Sequence, residues 1–170
     1  GVFPSPEEEA LYFEWAMERL DSEGYRHYEI SNFAQPGAEC RHNLNYWSDG
    51  EYLGVGTSAW SYLGGRRQKN TSSLKNYFTR LREGRTPLTF QEELAPHQKL
   101  TEDIMLRLRT EEGVKTSYLL AQYKREEVES KLKCLEFLSK EGFIIKEEER
   151  FYLSQKGMLV ANQIFQEILD

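Results

Sequence analysis

The second half of the chain carries an order of apolar patterns that leaves few folds open. Apolar residues recur at helical spacing over residues 96–108, again around residues 117–123, and a third time over residues 128–138. Two short apolar runs around the acidic turn 147–149 then predict a β-hairpin, and Ser154 can cap a closing helix. Three helices, a hairpin and a last helix are the order of a small winged-helix-like domain.

Winged-helix domains commonly bind nucleic acid, but the charges of this segment argue against that role. Residues 94–170 hold 12 basic and 14 acidic side chains, and the turn of the predicted hairpin consists of three glutamates. A surface that contacts phosphates should be basic. We therefore expect no nucleic-acid partner and favour a packing or interaction role for this domain.

The beginning of the chain predicts one helix followed by one strand. Ser5 can cap the helix, Pro6 suits its first turn, Glu8 completes a capping box and Gly24 can end it. The run "YRHYEISNFA", residues 25–34, predicts a short strand. Such a pair resembles one unit of a parallel sheet, and a single unit cannot bury its own faces.

Between these parts the pattern is less regular. Residues 44–65 predict a loop with a strand near residues 52–62, and residues 74–81 predict a short helix that ends at Gly84. The run "RTPLT" breaks the pattern and predicts a boundary near residue 87. We therefore predict an α+β chain with two domains, residues 1–86 and 87–170.

The middle of the chain also differs in charge. Residues 41–85 hold eight basic and three acidic side chains, a net charge of +5 in a chain whose formal net charge is -6. Seven aromatic residues lie in the same segment. Rings and guanidinium groups together suit a flat anionic ligand, whereas composition alone favours a half-buried amphipathic surface.

The spacing of the cysteines and the hydropathy of the chain indicate whether it binds a metal and in which cellular compartment it acts. Cys40 and Cys134 lie far apart, and no CxxC or CxxxCxxC spacing is present, so the sequence contains no zinc or iron–sulfur motif. There is no run of about 18 apolar residues and no secretory leader in this sequence. These patterns predict reduced thiols and a cytoplasmic protein.

Two short stretches are candidates for ligand binding. In "CRHNLNYW", His42 can present an imidazole to a metal, although one histidine cannot build a closed metal site and a hydrogen-bonded loop histidine is the common alternative. In "GGRR", Arg66 and Arg67 can meet a propionate or a phosphate, or can follow an ordinary exposed turn. The glycine-rich residues 54–61 lack the G-x-G-x-x-G pattern and the P-loop lysine, which excludes a nucleotide fingerprint.

Three longer segments together resemble a known family. They are "YEISNFAQPGAECRHNLNYW", "YLGVGTSAWSYLGGRRQKN" and "EEERFYLSQKGMLVANQIFQEIL", and they resemble the C-terminal part of the HemN/HemW branch of radical S-adenosylmethionine proteins. This family includes oxygen-independent coproporphyrinogen III oxidases and heme chaperones. The resemblance implies the last helix-strand unit of a partial (β/α) barrel, followed by the small helical domain. It also implies a 4Fe-4S cluster and S-adenosylmethionine in a longer parent protein, because the CxxxCxxC ligands are absent from this chain.

The motif HNxxYW favours the heme-chaperone branch. Together with the basic, aromatic segment, the motif predicts a heme site with the residues His42, Asn43, Tyr46, Trp47, Trp60, Arg66 and Arg67. His42 would be the axial ligand to the heme iron, Asn43 would orient its imidazole, and Tyr46 and Trp47 would pack against the macrocycle. Arg66 and Arg67 would lie near the propionates.

Trp60 departs from the family pattern, because chaperone relatives often carry histidine at its position. The implied partners are heme or another porphyrin and heme-acceptor proteins, membrane-associated ones included. The alternative function is oxidative decarboxylation of coproporphyrinogen III to protoporphyrinogen IX by the longer parent. In that case residues 1–85 would line the substrate end of the barrel, and this chain alone would not be catalytic.

Overall fold

The computed structural model describes residues 3–169, which form eight helices and eight strands. The helices are α1 (Pro6–Ser22), α2 (Arg41–Trp47), α3 (Leu74–Arg82), α4 (Pro96–Arg107), α5 (Thr116–Gln122), α6 (Arg125–Lys140), α7 (Gln155–Leu159) and α8 (Ala161–Leu169). The strands are β1 (Arg26–Glu29), β2 (Asn32–Ala34), β3 (Trp60–Leu63), β4 (Arg66–Asn70), β5 (Leu88–Glu93), β6 (Val114–Lys115), β7 (Ile144–Glu147) and β8 (Arg150–Leu153). The predicted mixture of helix and sheet is confirmed.

The main hydrophobic core lies in the second half of the chain. Leu100, Ile104 and Leu108 recur at intervals of four along and just after α4, so they share one face of the helix and all three are buried. They pack with buried side chains of α6, α8 and the antiparallel sheet β6-β8-β7. The predicted hairpin is present as β7 and β8. Each such branched side chain contributes about 1.5–3 kcal/mol when it leaves water.

The predicted closing helix is two helices. Ser154 caps α7 as expected, because its Oγ accepts a hydrogen bond from the Gly157 backbone N–H at 3.0 Å. The chain leaves helical geometry at Val160 (φ −120°, ψ 25°), and α8 begins at the next residue. A Cβ atom on Gly157 would lie 2.0 Å from the carbonyl oxygen of Phe143. The glycine therefore allows α7 to approach the chain that enters β7.

The first helix forms as the sequence predicts. The Ser5 backbone N–H donates to Glu8 Oε2 at 2.8 Å, and the Glu8 backbone N–H donates to Ser5 Oγ at 3.3 Å, which completes a capping box. Residues 25–34, however, form two antiparallel strands in a hairpin and not one strand. The backbone turns at Ile30, whose N–H donates to the carbonyl oxygen of Arg109 at 2.9 Å. The barrel unit remains a prediction.

A three-stranded antiparallel sheet occupies the middle of the chain. Gly64 and Gly65 connect β3 to β4 with φ of +57° and +72°, the left-handed pair that a tight hairpin turn requires. The third strand, β5, pairs with β4 across the predicted boundary between residues 86 and 87. The division at that position, like the winged-helix assignment, stays a prediction.

One predicted loop is a helix. Residues 41–47, which hold the HNxxYW motif, form α2, and the strand expected near residues 52–62 begins only at Trp60. Tyr52 makes an isolated bridge with Tyr62, so the chain after α2 folds back onto β3. Within residues 3–169, no helix has the length and apolar character needed to cross a membrane.

Candidate functional site

Helix α2 divides the motif residues between two faces. His42 and Tyr46 are one turn apart, and their rings meet edge to face with centroids 4.7 Å apart. The imidazole of His42 is exposed to solvent. Asn43 donates a long hydrogen bond, 3.4 Å, to the hydroxyl of Tyr28 on β1. It therefore connects α2 to β1, whereas the sequence predicted that it orients His42.

A pocket of about 380 Å³ opens beside this helix. Its lining is rich in rings and also contains three carboxylates; the lining residues are Tyr46, Trp47, Asp49, Gly50, Tyr52, Trp60, Tyr62, Arg67, Glu92, Glu102 and Leu106. Four of the seven predicted site residues are among them. His42 lies at the edge of the pocket through its contact with Tyr46, and Asn43 and Arg66 are not part of the lining.

Buried polar residues hold the chain that forms one wall of the pocket. A Cβ atom on Gly54 would lie 2.0 Å from the carbonyl oxygen of Trp60, so only glycine allows this approach to β3. The buried side chain of Asn70 donates to the carbonyl oxygens of Gly54 and Gly56, at 3.2 and 2.9 Å. Ser61 Oγ accepts from the Gly54 N–H at 3.0 Å. The roles of Asn70 and Ser61 could not be predicted from the sequence, because each side chain bonds to backbone groups that only folding brings next to it.

An ion-pair network closes the inner side of the pocket. Arg67 contacts the carboxylates of Glu92, at 3.5 Å, and of Glu102. Lys99 Nζ lies 2.5 Å from Asp49 Oδ1 and 4.5 Å from the centroid of the Tyr62 ring. These groups come from β4, β5, α4 and the turn after α2, so they meet only in the folded chain. Sequence reasoning missed Asp49, Lys99 and Glu102 for that reason.

The +5 charge of residues 41–85 does not persist as a basic surface at this place. The register of β4 and β5 sets Arg66 opposite Glu93 and Arg67 opposite Glu92. Arg66 is exposed and lies 3.5 Å from Glu93. Acidic residues from outside the segment thus neutralise both arginines that the sequence assigned to an anionic ligand.

The hydroxyl of Tyr52 stays protonated in this setting. Burial raises the pKa of Tyr52, the neighbouring Tyr46 adds to the shift, and Arg67 opposes it. Tyr52 also packs against Tyr46, with ring centroids 4.4 Å apart. The pocket therefore presents neutral aromatic surface between charged groups that are already paired.

The side chains that commonly bind metals lie apart in residues 3–169. Among residues 3–169, no group of three or more His, Cys, Asp and Glu side chains has a metal-binding arrangement. Cys40 is exposed, and burial raises the pKa of the half-buried Cys134 thiol. A single exposed imidazole can still complete a metal whose other ligands come from a porphyrin.

Comparisons with known proteins agree with the resemblance that the sequence predicts. Residues 94–160 match the family model described as the HemN C-terminal domain. The heme chaperone HemW of Bacillus subtilis (strain 168) is 34% identical over 162 residues, which are 95% of this chain and 43% of the relative. The heme chaperone HemW of Lactococcus lactis subsp. lactis (strain IL1403) is 32% identical over 176 residues, 98% of this chain and 43% of the relative.

A solved structure gives the same picture for the fold. It is titled "Coproporphyrinogen III oxidase (HemN) from Escherichia coli is a Radical SAM enzyme", and it matches with a TM-score of 0.75 at 22% identity over 97% of this chain and 42% of that chain. The chain thus spans less than half the length of the relatives it matches. Taken together with the HemN C-terminal domain at residues 94–160, these matches confirm the predicted membership of this chain in the HemN/HemW family.

Proposed function

We propose that this chain is the C-terminal part of a HemW-like heme chaperone, which binds heme and delivers it to acceptor proteins. The observation that carries the proposal is the exposed imidazole of His42, which contacts edge to face the ring of Tyr46, a lining residue of the aromatic pocket. The names of the curated relatives support the same function. Heme is here the cargo, and its porphyrin would supply the iron with all but the axial ligands.

Each motif residue then has a role that its surroundings allow. His42 is the proposed axial ligand, since an exposed imidazole can reach an iron from outside the fold. Tyr46, Trp47 and Trp60 would pack against the macrocycle, because aromatic faces favour stacking on a flat apolar ring. Asn43 would act indirectly, through its hydrogen bond to Tyr28.

The arginines remain the proposed partners of the heme propionates, with one condition. Arg67 contacts both Glu92 and Glu102, so a propionate would have to replace one of these carboxylates. Removing a partner without replacement would leave a half-buried charge uncompensated, which is costly. Arg66 has only an exposed contact with Glu93 and is the freer of the two.

Heme titration of the purified protein tests His42 directly. We expect His42→Ala to weaken heme binding at least about tenfold and to shift the Soret band, because the axial bond is lost. His97→Ala is the matched control, since His97 is exposed at the start of α4 and lies outside the motif. Added imidazole should restore the Soret band of the His42→Ala protein and leave the control unchanged. Equal affinities and spectra for wild type and His42→Ala would reject the assignment.

The longer parent protein is part of the proposal. We infer that α1 and the strand that follows it are the last unit of a partial (β/α) barrel, and that residues 87–170 form a winged-helix-like domain. The barrel would bind the 4Fe-4S cluster and S-adenosylmethionine through residues that this chain lacks, and the protein would act in the cytoplasm on acceptors that include membrane-associated ones. Iron and sulfide analysis of the full-length protein checks the cluster.

Coproporphyrinogen III oxidation is the alternative for the parent protein. Its structural support is a likeness of fold at 22% identity, which does not extend to the chemistry of the site. Anaerobic turnover of coproporphyrinogen III and S-adenosylmethionine by the full-length protein would favour this alternative. We expect no such turnover.

A further inference from the structure

A partly buried polar cluster joins the motif residue Trp47 to two residues that the sequence did not single out, Glu29 and Arg109. Three of its buried side-chain atoms have no hydrogen-bond partner within residues 3–169: Glu29 Oε2, Trp47 Nε1 and Arg109 Nε. Glu29 belongs to β1, Trp47 to α2 and Arg109 to the turn that follows α4. Buried polar atoms without partners are rare and cost about 1–3 kcal/mol each, so their presence in one region requires a reason.

Arg109 is the centre of this cluster. Its guanidinium carbon lies 4.6 Å from the centroid of the Trp47 ring and 5.5 Å from that of Phe165 on α8. Burial lowers the pKa of Arg109, and the charge of Glu29 opposes that shift. Arginine remains charged at any physiological pH. A partly buried cation is thus held against the indole that forms part of the pocket wall.

The backbone around Arg109 is fixed to the first hairpin. Its carbonyl oxygen accepts from the Ile30 N–H at 2.9 Å, and the Glu111 N–H donates to the carbonyl oxygen of Tyr28 at 3.1 Å. Thr110 forms a bridge with Glu29. These bonds fix the backbone from which the Arg109 side chain reaches Trp47, and Arg109 lies within residues 94–160, which match the HemN C-terminal domain.

We propose that Arg109 is a positioning residue of the heme site, which fixes the Trp47 indole so that α2 presents its other residues to the ligand. A cation over an indole face is attractive, and more so when it is shielded from water. The arrangement gives the HemN C-terminal domain a part in a site whose motif lies elsewhere in the chain. The role of Arg109 in heme binding rests on the proposed function, whereas the contact between Arg109 and Trp47 can be tested without heme.

The experiment uses Arg109→Met, which keeps the length of the side chain and removes its charge and its planar face. In a Trp15→Phe/Trp60→Phe background, Trp47 is the single tryptophan and its fluorescence reports its surroundings. We expect Arg109→Met to shift the Trp47 emission in this background. In the chain that keeps Trp15 and Trp60, the same change should weaken heme binding about fivefold to tenfold, because a partly buried cation–π contact is lost. Arg109→Lys should recover part of both effects, because the charge returns without the planar group.

Arg125→Met is the matched control. Arg125 is exposed and makes only a surface contact with Glu129, so the same change there should alter neither emission nor affinity. Circular dichroism establishes that each variant is folded, and Arg109→Lys serves as the test protein if Arg109→Met unfolds. Unchanged Trp47 emission in a folded variant would overturn the positioning role.

The outcomes separate this inference from the proposed function. If Arg109→Met binds heme like wild type while His42→Ala does not, the positioning role is wrong and the proposed function stands. If wild type binds no heme, the proposed function and the heme role of Arg109 both fail. A shift of Trp47 emission would then report only a packing contact.

Discussion

His42 and Trp47 lie five residues apart on one short helix and have opposite surroundings. The imidazole of His42 is exposed, whereas the indole N–H of Trp47 is buried and the Arg109 guanidinium covers one face of the ring. A residue that binds the iron of a heme that is later passed on has to be accessible. A residue that lines the heme pocket has to be held in a fixed position. The two residues therefore differ in the property that each proposed role needs.

Glu102 competes with any anionic ligand for Arg67. Its carboxylate contacts Arg67, and it also lies 3.5 Å from Lys99. If Arg67 binds a heme propionate, Glu102→Gln should tighten heme binding about threefold, because a half-buried cation would lose its internal competitor. The measurement is the dissociation constant of heme by Soret absorbance.

Glu129→Gln is the control for the Glu102 experiment, since Glu129 pairs with Arg125 on the exposed side of α6. We expect no change in heme affinity from it. Weaker heme binding by Glu102→Gln, with the control unchanged, would mean that the Arg67–Glu102 pair shapes the pocket and does not receive propionates.

At the scale of elements, local signals decided which predictions succeeded. Ser5, Pro6 and Glu8 act within one turn of α1, and Leu100, Ile104 and Leu108 follow one face of a helix, so their effects can be recognised in the sequence. The sequence also predicts helix α3, because its apolar residues recur at helical spacing.

Elements stabilised by distant contacts were less predictable. Helix α2 has no side-chain cap, and Asn43 contacts β1 fifteen residues away. The break at Val160 and the ion pairs of Lys99 likewise depend on groups that meet only after folding. Tertiary packing overrides weak local propensity in such segments, which is why the motif helix was predicted as a loop.

In helix α7, helix propensity and packing should change the free energy of unfolding in opposite directions when Gly157 is replaced. Alanine is a better helix former than glycine, but a Cβ on the buried Gly157 would lie 2.0 Å from the Phe143 carbonyl oxygen. We expect Gly157→Ala to lower the free energy of unfolding by about 1–3 kcal/mol through overpacking. Urea denaturation followed by circular dichroism measures it.

Gln155→Ala is the matched change in the same helix, at an exposed position. It should leave the free energy of unfolding within about 0.5 kcal/mol of wild type, as is usual at surface sites. A Gly157→Ala protein as stable as wild type would show that α7 can shift away from β7 at no cost.

At the scale of the whole molecule, several polar contacts join the first and second halves. Lys99 of α4 pairs with Asp49, β5 pairs with β4, and the turn at Arg109 pairs with the first hairpin. The proposed site lies where these contacts converge, so its geometry depends on both halves. This explains why the motif alone, without residues 94–160, could not predict the pocket.

The stability of the whole chain should fall at alkaline pH because of one buried network. Asp103, only 1% exposed, accepts hydrogen bonds from the hydroxyls of Tyr118 and Tyr123 at 2.8 and 3.0 Å. Burial raises the pKa of both tyrosines, and the charge of Asp103 adds to each shift. In the unfolded chain these hydroxyls titrate at about pH 10.

Because the folded pKa lies above the unfolded one, the unfolded chain binds fewer protons once the pH exceeds about 10, and the free energy of unfolding decreases from there upward. Tyr123→Phe should cost about 1–3 kcal/mol near neutral pH, through the lost bond to a charged acceptor, and should flatten the alkaline decline. Tyr12→Phe, at an exposed position of α1, is the control and should keep the wild-type pH dependence. Urea denaturation between pH 8 and 11 measures both. An equally steep decline in Tyr123→Phe would mean that Tyr123 does not contribute to it.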